Sequence, residues 1–216
     1  MTRDELAARR AVIRAALDMD SSGFAPSKSG NVSCRFGDGF LVTPSALLYG
    51  QTRPIDLVRM DLDGAVLAGA RQASSEWRFH AAIYRARPEV NAVIHTHSPR
   101  ATALSALRRG IPAFHYMVAI AGGADIRCAP YATFGTEELS EHALASLAGR
   151  KAVLLANHGV IAIGASLDAA WVVAREVENL ASQYLDLLAT GLDPVILDEA
   201  EMRRVLAQFA NYGRKG

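Results

Sequence analysis

Two histidines end an apolar, β-branched segment with the sequence Val93-Ile94-His95-Thr96-His97. Successive side chains of a strand point to opposite faces, so His95 and His97 project from the same face if this segment is a strand. Two imidazoles placed in this way can bind one metal ion. They can equally be two solvated histidines at the end of a strand, and other residues have to decide between these alternatives.

A third histidine, His158, strengthens the metal interpretation. It lies between Asn157 and Gly159 in a tight turn that joins two apolar segments, and turns at the ends of buried strands often carry functional residues. Three histidines with a carboxylate or a water molecule form a common catalytic zinc site. Glu76 is the candidate carboxylate, because it lies early in a predicted helix where packing gives no reason for an acidic residue. Spacing alone leaves open the alternative that His158 only hydrogen-bonds to the backbone.

Three turns rich in serine, threonine, glycine and asparagine predict an anion site. They are SGNVS at 29–33, TPSA at 43–46 and SSE at 74–76. Hydroxyls and free backbone N–H groups, one set at the start of a helix, are what a phosphate dianion requires, and Lys28 could add a positive charge. Each turn alone is typical of ordinary turn chemistry. Because Ser74 and Ser75 directly precede Glu76, the turns together predict a phosphate held one substrate length from the metal.

The composition is that of an ordinary globular protein, with 216 residues, 50% of them hydrophobic and 21% charged. This length suits one α/β domain over 1–216. The 23 basic and 22 acidic residues nearly cancel, which gives no electrostatic reason to expect nucleic acid or an anionic membrane as a partner. Cys34 and Cys128 form no CxxC motif, and no run approaches about 20 apolar residues, so we expect a soluble cytoplasmic protein.

Hydrophobic periodicity predicts a helix-rich chain with several hairpins. Helices are predicted over about 3–19, 74–88, 99–107, 137–149, 167–191 and within 198–216. Strands are predicted over 31–36 and 39–45, joined by Gly-Asp-Gly, as a pair over 53–69 turning at Asp63-Gly64, over 90–98, and as a pair within 151–164. The segment 113–123 is compatible with a strand or a helix. The pattern predicts one α/β domain whose central sheet, mostly antiparallel or mixed, is flanked by helices.

Taken in order, these motifs resemble the class II, zinc-dependent aldolases of the fuculose-1-phosphate aldolase type. The resemblance covers nearly the whole chain and is carried by SGNVS, TPS, SSEWRFH, RPEVNAVIHTHS, FHYMVAIAGG, CAPYATFGT, ELSEH, LLANHGVIA and the terminal YG. It implies the fold of that family and one Zn²⁺ per subunit, with Mn²⁺ or Co²⁺ as other possible metals. It also implies a cyclic homotetramer with active sites between subunits.

The resemblance implies a role for each matching residue. His95, His97 and His158 correspond to the three zinc ligands, and Glu76 to a carboxylate that ligates zinc at rest and then serves as acid and base. The positions that match the family's phosphate site are Asn31, Ser45, Ser74 and Ser75. Tyr116 in FHYM corresponds to a tyrosine that reaches the active site of a neighbouring subunit, and Tyr212 in NYG to a C-terminal tyrosine that closes over the substrate.

Two departures from the family pattern lie in the predicted phosphate turns. Ala46 occupies a position where the family has a glycine that lets the backbone approach phosphate closely. The loop APSKS carries Lys28 in place of a small residue. These changes point toward a 5-deoxypentulose or methylthio substrate, with fuculose 1-phosphate as an equal alternative.

The resemblance implies reversible cleavage of a ketose 1-phosphate to dihydroxyacetone phosphate and an aldehyde. Glu76 would carry the proton at C3 and Tyr116 the proton on the C4 oxygen. A Schiff-base lysine is not needed, and none of Lys28, Lys151 and Lys215 lies in the apolar interior of a predicted strand. The candidate substrates are 5-deoxyribulose 1-phosphate, 5-methylthioribulose 1-phosphate and L-fuculose 1-phosphate. The alternatives are a ketopentose-phosphate 4-epimerase, a methylthioribulose-1-phosphate dehydratase and a structural zinc-bound module without activity.

Overall fold

Eight strands form one sheet in this computed structural model, which describes residues 1–211. The strands are β1 Gly30–Phe36, β2 Gly39–Val42, β3 Val58–Asp61, β4 Val66–Ala68, β5 Ala92–Thr96, β6 Arg127–Ala129, β7 Ala152–Leu155 and β8 Gly159–Gly164. Their order across the sheet is β4-β3-β2-β1-β5-β8-β7-β6. All neighbours in this described part are antiparallel except β6 and β7, which are parallel. The predicted α/β fold with a mixed, mostly antiparallel sheet is confirmed.

Helices cover both faces of the sheet. They are α1 Arg3–Ser21, α2 Trp77–Ala86, α3 Pro99–Ala106, α4 Glu137–Ser146, α5 Leu167–Ala189 and α6 Glu199–Asn211. On one face, buried residues of α2 and α4 such as Phe79 and Leu139 share a core with Val93 of β5. On the other face, α1 packs against the neighbouring residue Ile94, while α3, α5 and α6 share a further core. The alternation of Val93 and Ile94 between two cores is what a strand buried on both faces requires.

Local predictions and structure differ mainly at element ends. Helix α2 begins at Trp77, so Glu76 is the residue before the helix rather than part of its first turn, because the backbone N–H of Trp77 bonds to the carbonyl of Ser74 in a tight turn. Helix α4 ends at Ser146, ahead of Gly149, which adopts a left-handed φ of +67°. The ambiguous segment 113–123 contains a 3₁₀ helix, Tyr116–Ala121. The edge strand β6 was not predicted from the sequence.

The turn at Asp63-Gly64 joins β3 to β4 as predicted, and Gly37-Asp38 joins β1 to β2. Within residues 1–211, no helix has the length and apolar character needed to cross a bilayer.

Candidate active site and metal centre

The predicted histidines meet at one end of three neighbouring central strands. Strand β5 contains His95 and ends just before His97, and β8 begins just after His158. Because β8 runs antiparallel to β5, with Thr96 opposite Val160, the turn that carries His158 lies beside the end of β5. The sheet topology therefore brings residues far apart in sequence to one place.

The three imidazoles form a close cluster. One ring nitrogen from each of His95, His97 and His158 lies within 4.8 Å of the others. The Nε2 atoms of His95 and His97 are 3.0 Å apart, a separation at which two lone pairs need a proton or a cation between them. The ring of His95 is fully buried, and those of His97 and His158 are partly buried.

The tautomer of His95 is fixed by the backbone. Its Nδ1 lies 2.9 Å from the carbonyl oxygen of Val160, and because a carbonyl can only accept, Nδ1 carries a hydrogen and Nε2 is the nitrogen turned toward the cluster. Burial, together with the neighbouring imidazoles, lowers the pKa of His97 to about 3, so this ring is neutral at pH 7. Orientation of a ligating histidine through its second nitrogen, as seen for His95, is typical of metal sites.

Glu76 closes the cluster on its fourth side. Its Oε2 lies 3.2 Å from Nε2 of His95 and its Oε1 lies 3.2 Å from Nε2 of His158. Burial raises the pKa of Glu76, but the imidazoles of His95 and His158 outweigh this effect and hold it well below its usual range, so the group is ionised. Oε1 is buried and accepts no hydrogen bond of good geometry from any described residue. Three imidazole nitrogens and an orphaned carboxylate oxygen fit a divalent metal ion.

Gly159 makes possible the close approach of β8 to the end of β5. A Cβ atom at this position would lie 2.4 Å from the carbonyl oxygen of Thr96 and 3.1 Å from Cδ2 of His97. The absence of a side chain lets β8 begin directly against the end of β5. The preceding Asn157 takes a left-handed φ of +54°, which asparagine tolerates better than most residues.

A cleft of about 360 Å³ opens above the cluster. Its lining combines the histidines and Glu76 with polar turns, one lysine and an aromatic edge: Lys28, Ser29, Gly30, Asn31, Ser45, Ala46, Ser74, Ser75, Glu76, His97, Tyr131, Phe134 and His158. The four predicted phosphate positions all line this cleft. Within the described part of the chain, Lys28 is its one lysine or arginine.

The comparisons with known proteins agree with this geometry. The family described as "Class II Aldolase and Adducin N-terminal domain" matches residues 10–185. The chain belongs to the class II aldolase family. It is 52% identical to the 5-methylthioribulose-1-phosphate/5-deoxyribulose-1-phosphate aldolase of Rhodospirillum rubrum, over 99% of this chain and 96% of that protein. It is 48% identical to the L-fuculose phosphate aldolase of Escherichia coli, over 99% and 98%.

A solved structure of an L-fuculose 1-phosphate aldolase superposes with a TM-score of 0.91 at 36% identity, covering 97% of this chain and 98% of that one. The protein is therefore an aldolase, an enzyme of the aldehyde-lyase class. The family implies a divalent metal, and the cluster of His95, His97 and His158 could bind it.

The side-chain amide of Asn31 in this aldolase is engaged by two protein groups. Its Nδ2 donates to Oε2 of Glu76 at 2.9 Å, and its Oδ1 lies 2.5 Å from Nε2 of His80. Asn31 thus lies in the cleft lining, and its amide contacts the candidate carboxylate.

Tyr116, one of the two predicted catalytic tyrosines, is not among the described residues that line this cleft. Tyr116 begins a 3₁₀ helix, is 51% exposed and stacks on His115 with ring centroids 4.8 Å apart. The prediction for Tyr212 falls outside the described residues.

The sequence interpretation missed three residues of the aldolase site. His80, to which the sequence patterns assign no role at the site, is fully buried and hydrogen-bonded to Asn31 and Ser33. A usable signal was present, because Asn31 and Ser33 share a strand face. Tyr131 and Phe134 line the cleft although they are 51% and 65% exposed. Both lie in the segment CAPYATFGT, which carries part of the family resemblance but gives neither residue a predicted role.

Proposed function

We propose that this aldolase reversibly cleaves a ketose 1-phosphate to dihydroxyacetone phosphate and an aldehyde. The observation that carries the proposal is the convergence of three imidazoles and a partly unpaired carboxylate at the base of a hydroxyl-lined cleft. His95, His97, His158 and Glu76 would hold one divalent cation per chain. Zinc suits this donor set best, and Mn²⁺ or Co²⁺ could replace it.

Glu76 and Tyr116 are the proposed proton carriers. When bound, the cation would supply Lewis-acid polarisation of the substrate carbonyl and would balance the negative charge that develops there. Loss of the proton on the C4 hydroxyl, assigned to Tyr116, forms the aldehyde carbonyl as the C3–C4 bond breaks. Glu76 would deliver to C3 a proton that its carboxylate first takes up from solvent, while the C4 hydroxyl proton passes through Tyr116 to solvent, so that no net proton is gained or lost. In the reverse direction the ionised carboxylate removes the proton from C3.

The phosphate group would occupy the serine-rich end of the cleft. Ser45, Ser74 and Ser75 line this end, and Ser74 and Ser75 precede the first turn of α2, where backbone N–H groups favour an anion. Lys28 supplies the one positive charge of the lining among the described residues, which a phosphate dianion needs. Asn31 would complete the set with the second hydrogen of its Nδ2, since only one is donated to Glu76.

For the aldehyde half we place 5-deoxyribulose 1-phosphate and 5-methylthioribulose 1-phosphate first. Tyr131 and Phe134 give the cleft an apolar edge, which suits a methyl or methylthio group. A relative that is 52% identical carries both substrates in its name. L-Fuculose 1-phosphate, the substrate named for a relative at 48% identity, is the second candidate.

We further propose a cytoplasmic homotetramer with active sites between subunits. The exposed position of Tyr116, outside the cleft lining of its own chain in the described structure, supports this assembly, because its catalytic role then requires a neighbouring subunit. Tyr212 is proposed to close over the substrate. The two cysteines, Cys34 and Cys128, are free thiols, as is usual in a reducing compartment.

The test supplies the metal-loaded protein with each of the three ketose phosphates. Dihydroxyacetone phosphate is followed by coupled reduction with glycerol-phosphate dehydrogenase and NADH. We expect NADH oxidation with all three and the highest kcat/KM for the two pentuloses. A 4-epimer without NADH oxidation would indicate an epimerase instead, and release of water with an intact carbon chain would indicate a dehydratase.

A further inference from the structure

His80 on α2 is a fully buried titratable residue to which the proposed mechanism assigns no role. Its Nδ1 lies 2.6 Å from the hydroxyl of Ser33, and its Nε2 lies 2.5 Å from Oδ1 of Asn31. The hydroxyl of Tyr84 lies 2.8 Å from that of Ser33. These groups form a buried chain that reaches Glu76 through the 2.9 Å bond from Asn31.

The direction of every hydrogen bond in this chain follows from its two ends. The ionised carboxylate of Glu76 only accepts, so the amide nitrogen of Asn31 faces it and Oδ1 faces His80. An amide oxygen also only accepts, so Nε2 of His80 carries the hydrogen. Burial lowers the pKa of His80 to about 3, which leaves the ring neutral and its Nδ1 an acceptor. Ser33 then donates to Nδ1 and accepts from Tyr84.

We propose that His80 is a positioning residue for Glu76, which acts by holding the amide of Asn31 with its NH₂ group toward the carboxylate. If Nε2 no longer donates, Oδ1 of Asn31 loses the hydrogen bond that anchors the amide, and the amide can turn away from Oε2 of Glu76. The hydrogen bond to the carboxylate is then weakened or lost inside a buried site, where incomplete networks are energetically costly. Glu76 then loses the partner that fixes one of its oxygens.

The surroundings of His80 support a positioning role rather than a direct one. Its ring stacks on Phe79 with centroids 4.6 Å apart, and Phe40 lies on a parallel plane 6.5 Å away. These aromatic rings fix the orientation of the imidazole on an ordered helix. This series of hydrogen bonds therefore links the core between α2 and the sheet to the carboxylate of Glu76.

The experiment compares three variants of His80 that differ in where, or whether, the side chain places a hydrogen-bond donor. In His80→Gln the side-chain nitrogen can occupy the place of Nε2 and donate to Asn31. In His80→Asn the amide reaches only the place of Nδ1, and His80→Leu removes both polar atoms. This inference rests on the proposed role of Glu76, so each variant is loaded with Co²⁺ and both its visible absorption spectrum and its kinetics on the ketose phosphates are measured.

We expect the Asn and Leu variants to lose about 10- to 100-fold in kcat, with KM within about twofold of wild type and a shifted cobalt spectrum. The Gln variant should recover most of kcat and the wild-type spectrum. Leu139→Ala, a core change on α4, controls for lost stability and should keep both. Equal effects of Gln and Asn, or wild-type behaviour of Leu, would overturn the proposal.

A measurement on the unaltered holoenzyme does not depend on the folding of any variant. Nitrogen-15 NMR of labelled histidines should show His80 as the neutral tautomer with hydrogen on Nε2, and the Nδ1 tautomer would overturn the proposal. A wild-type enzyme that binds Co²⁺ but cleaves none of the ketose phosphates contradicts the proposed function instead, whereas the tautomer and the cobalt spectra still test His80.

Discussion

Asn31 lies directly opposite His95 in the pairing of β1 with β5. Facing residues of paired strands project from the same side of the sheet, so the amide that contacts Glu76 and an imidazole of the cluster emerge next to each other. Glu76 then meets both, at 2.9 Å from the amide nitrogen and 3.2 Å from Nε2 of His95. One cross-strand pair thus organises both the candidate metal ligands and the candidate proton carrier.

Replacement of His97 by alanine should abolish metal binding while the fold is kept. His97 lies beyond the end of β5 and is only partly buried, so its loss removes a nitrogen ligand without opening the core. Metal analysis after dialysis should find far less than one ion per chain, a loss greater than the roughly 10- to 100-fold cost of removing an outer-shell partner. His142→Ala on α4 is the control and should retain its metal. Stoichiometric metal in the His97 variant would contradict the ligand assignment.

Glu76→Gln should keep part of the metal and lower kcat by about 100-fold or more. The amide can still offer an oxygen toward the cluster, but it cannot take up and return a proton at neutral pH. Steady-state kinetics on the best ketose phosphate provide the measurement, and Glu138→Gln on the exposed start of α4 is the matched control. An unchanged rate would remove Glu76 from the mechanism.

Ala46→Gly should stabilise the protein. Ala46 adopts a φ of +57°, a left-handed conformation that costs an L-residue about 1–2 kcal/mol and glycine almost nothing. After the greater unfolded-state entropy of glycine is subtracted, we expect the free energy of unfolding to rise by about 1 kcal/mol or less. Urea unfolding measures it, and Ala7→Gly in the exposed part of α1 should change it in the opposite direction. Destabilisation at position 46 would show that its methyl group makes a favourable contact.

His80 should make stability fall as the pH is lowered from neutral. Its folded pKa of about 3 lies below the ordinary value of 6.5, so between these two pH values the unfolded chain binds a proton that the folded chain does not. Stability is therefore complete above pH 6.5 and decreases toward pH 3, by at most about 1.4 kcal/mol per pH unit for one group.

His80→Gln removes this proton uptake. Chemical denaturation of both proteins in chelator at several pH values should therefore show a shallower pH dependence for the variant. Glu76, His95, Tyr84 and Cys34 lie on or beside the same elements and are present in both proteins, so their contributions largely cancel in the difference. Parallel curves for the two proteins would show that His80 does not titrate as a buried neutral ring.

Much of the candidate site could be predicted because its signals are local. The spacing of His95 and His97 follows from the period of a strand, and His158 precedes a glycine in a turn between two apolar segments. The serine-rich turns can be recognised from their composition. For the same reason the main helices and hairpins were correct, since each repeats its own hydrophobic period over many residues.

The features of the fold and site that could not be predicted from the sequence depend on contacts between distant segments. Only the packing of α2 on β1 brings His80 to Asn31, and Asn31 to Glu76, and neither segment alone specifies that contact. The three-residue strand β6 is too short to show a period and exists because it pairs with β7. The proposed role of Tyr116 requires a second chain, which no local pattern can describe.

The most direct test of the central claim is X-ray absorption spectroscopy of the zinc-loaded protein at its metal edge. The account predicts one zinc per chain, bound by three imidazole nitrogens at about 2.0–2.1 Å together with oxygen donors. A sulfur ligand, which only Cys34, Cys128 or a methionine could supply, or fewer than three imidazoles around the ion, would contradict it.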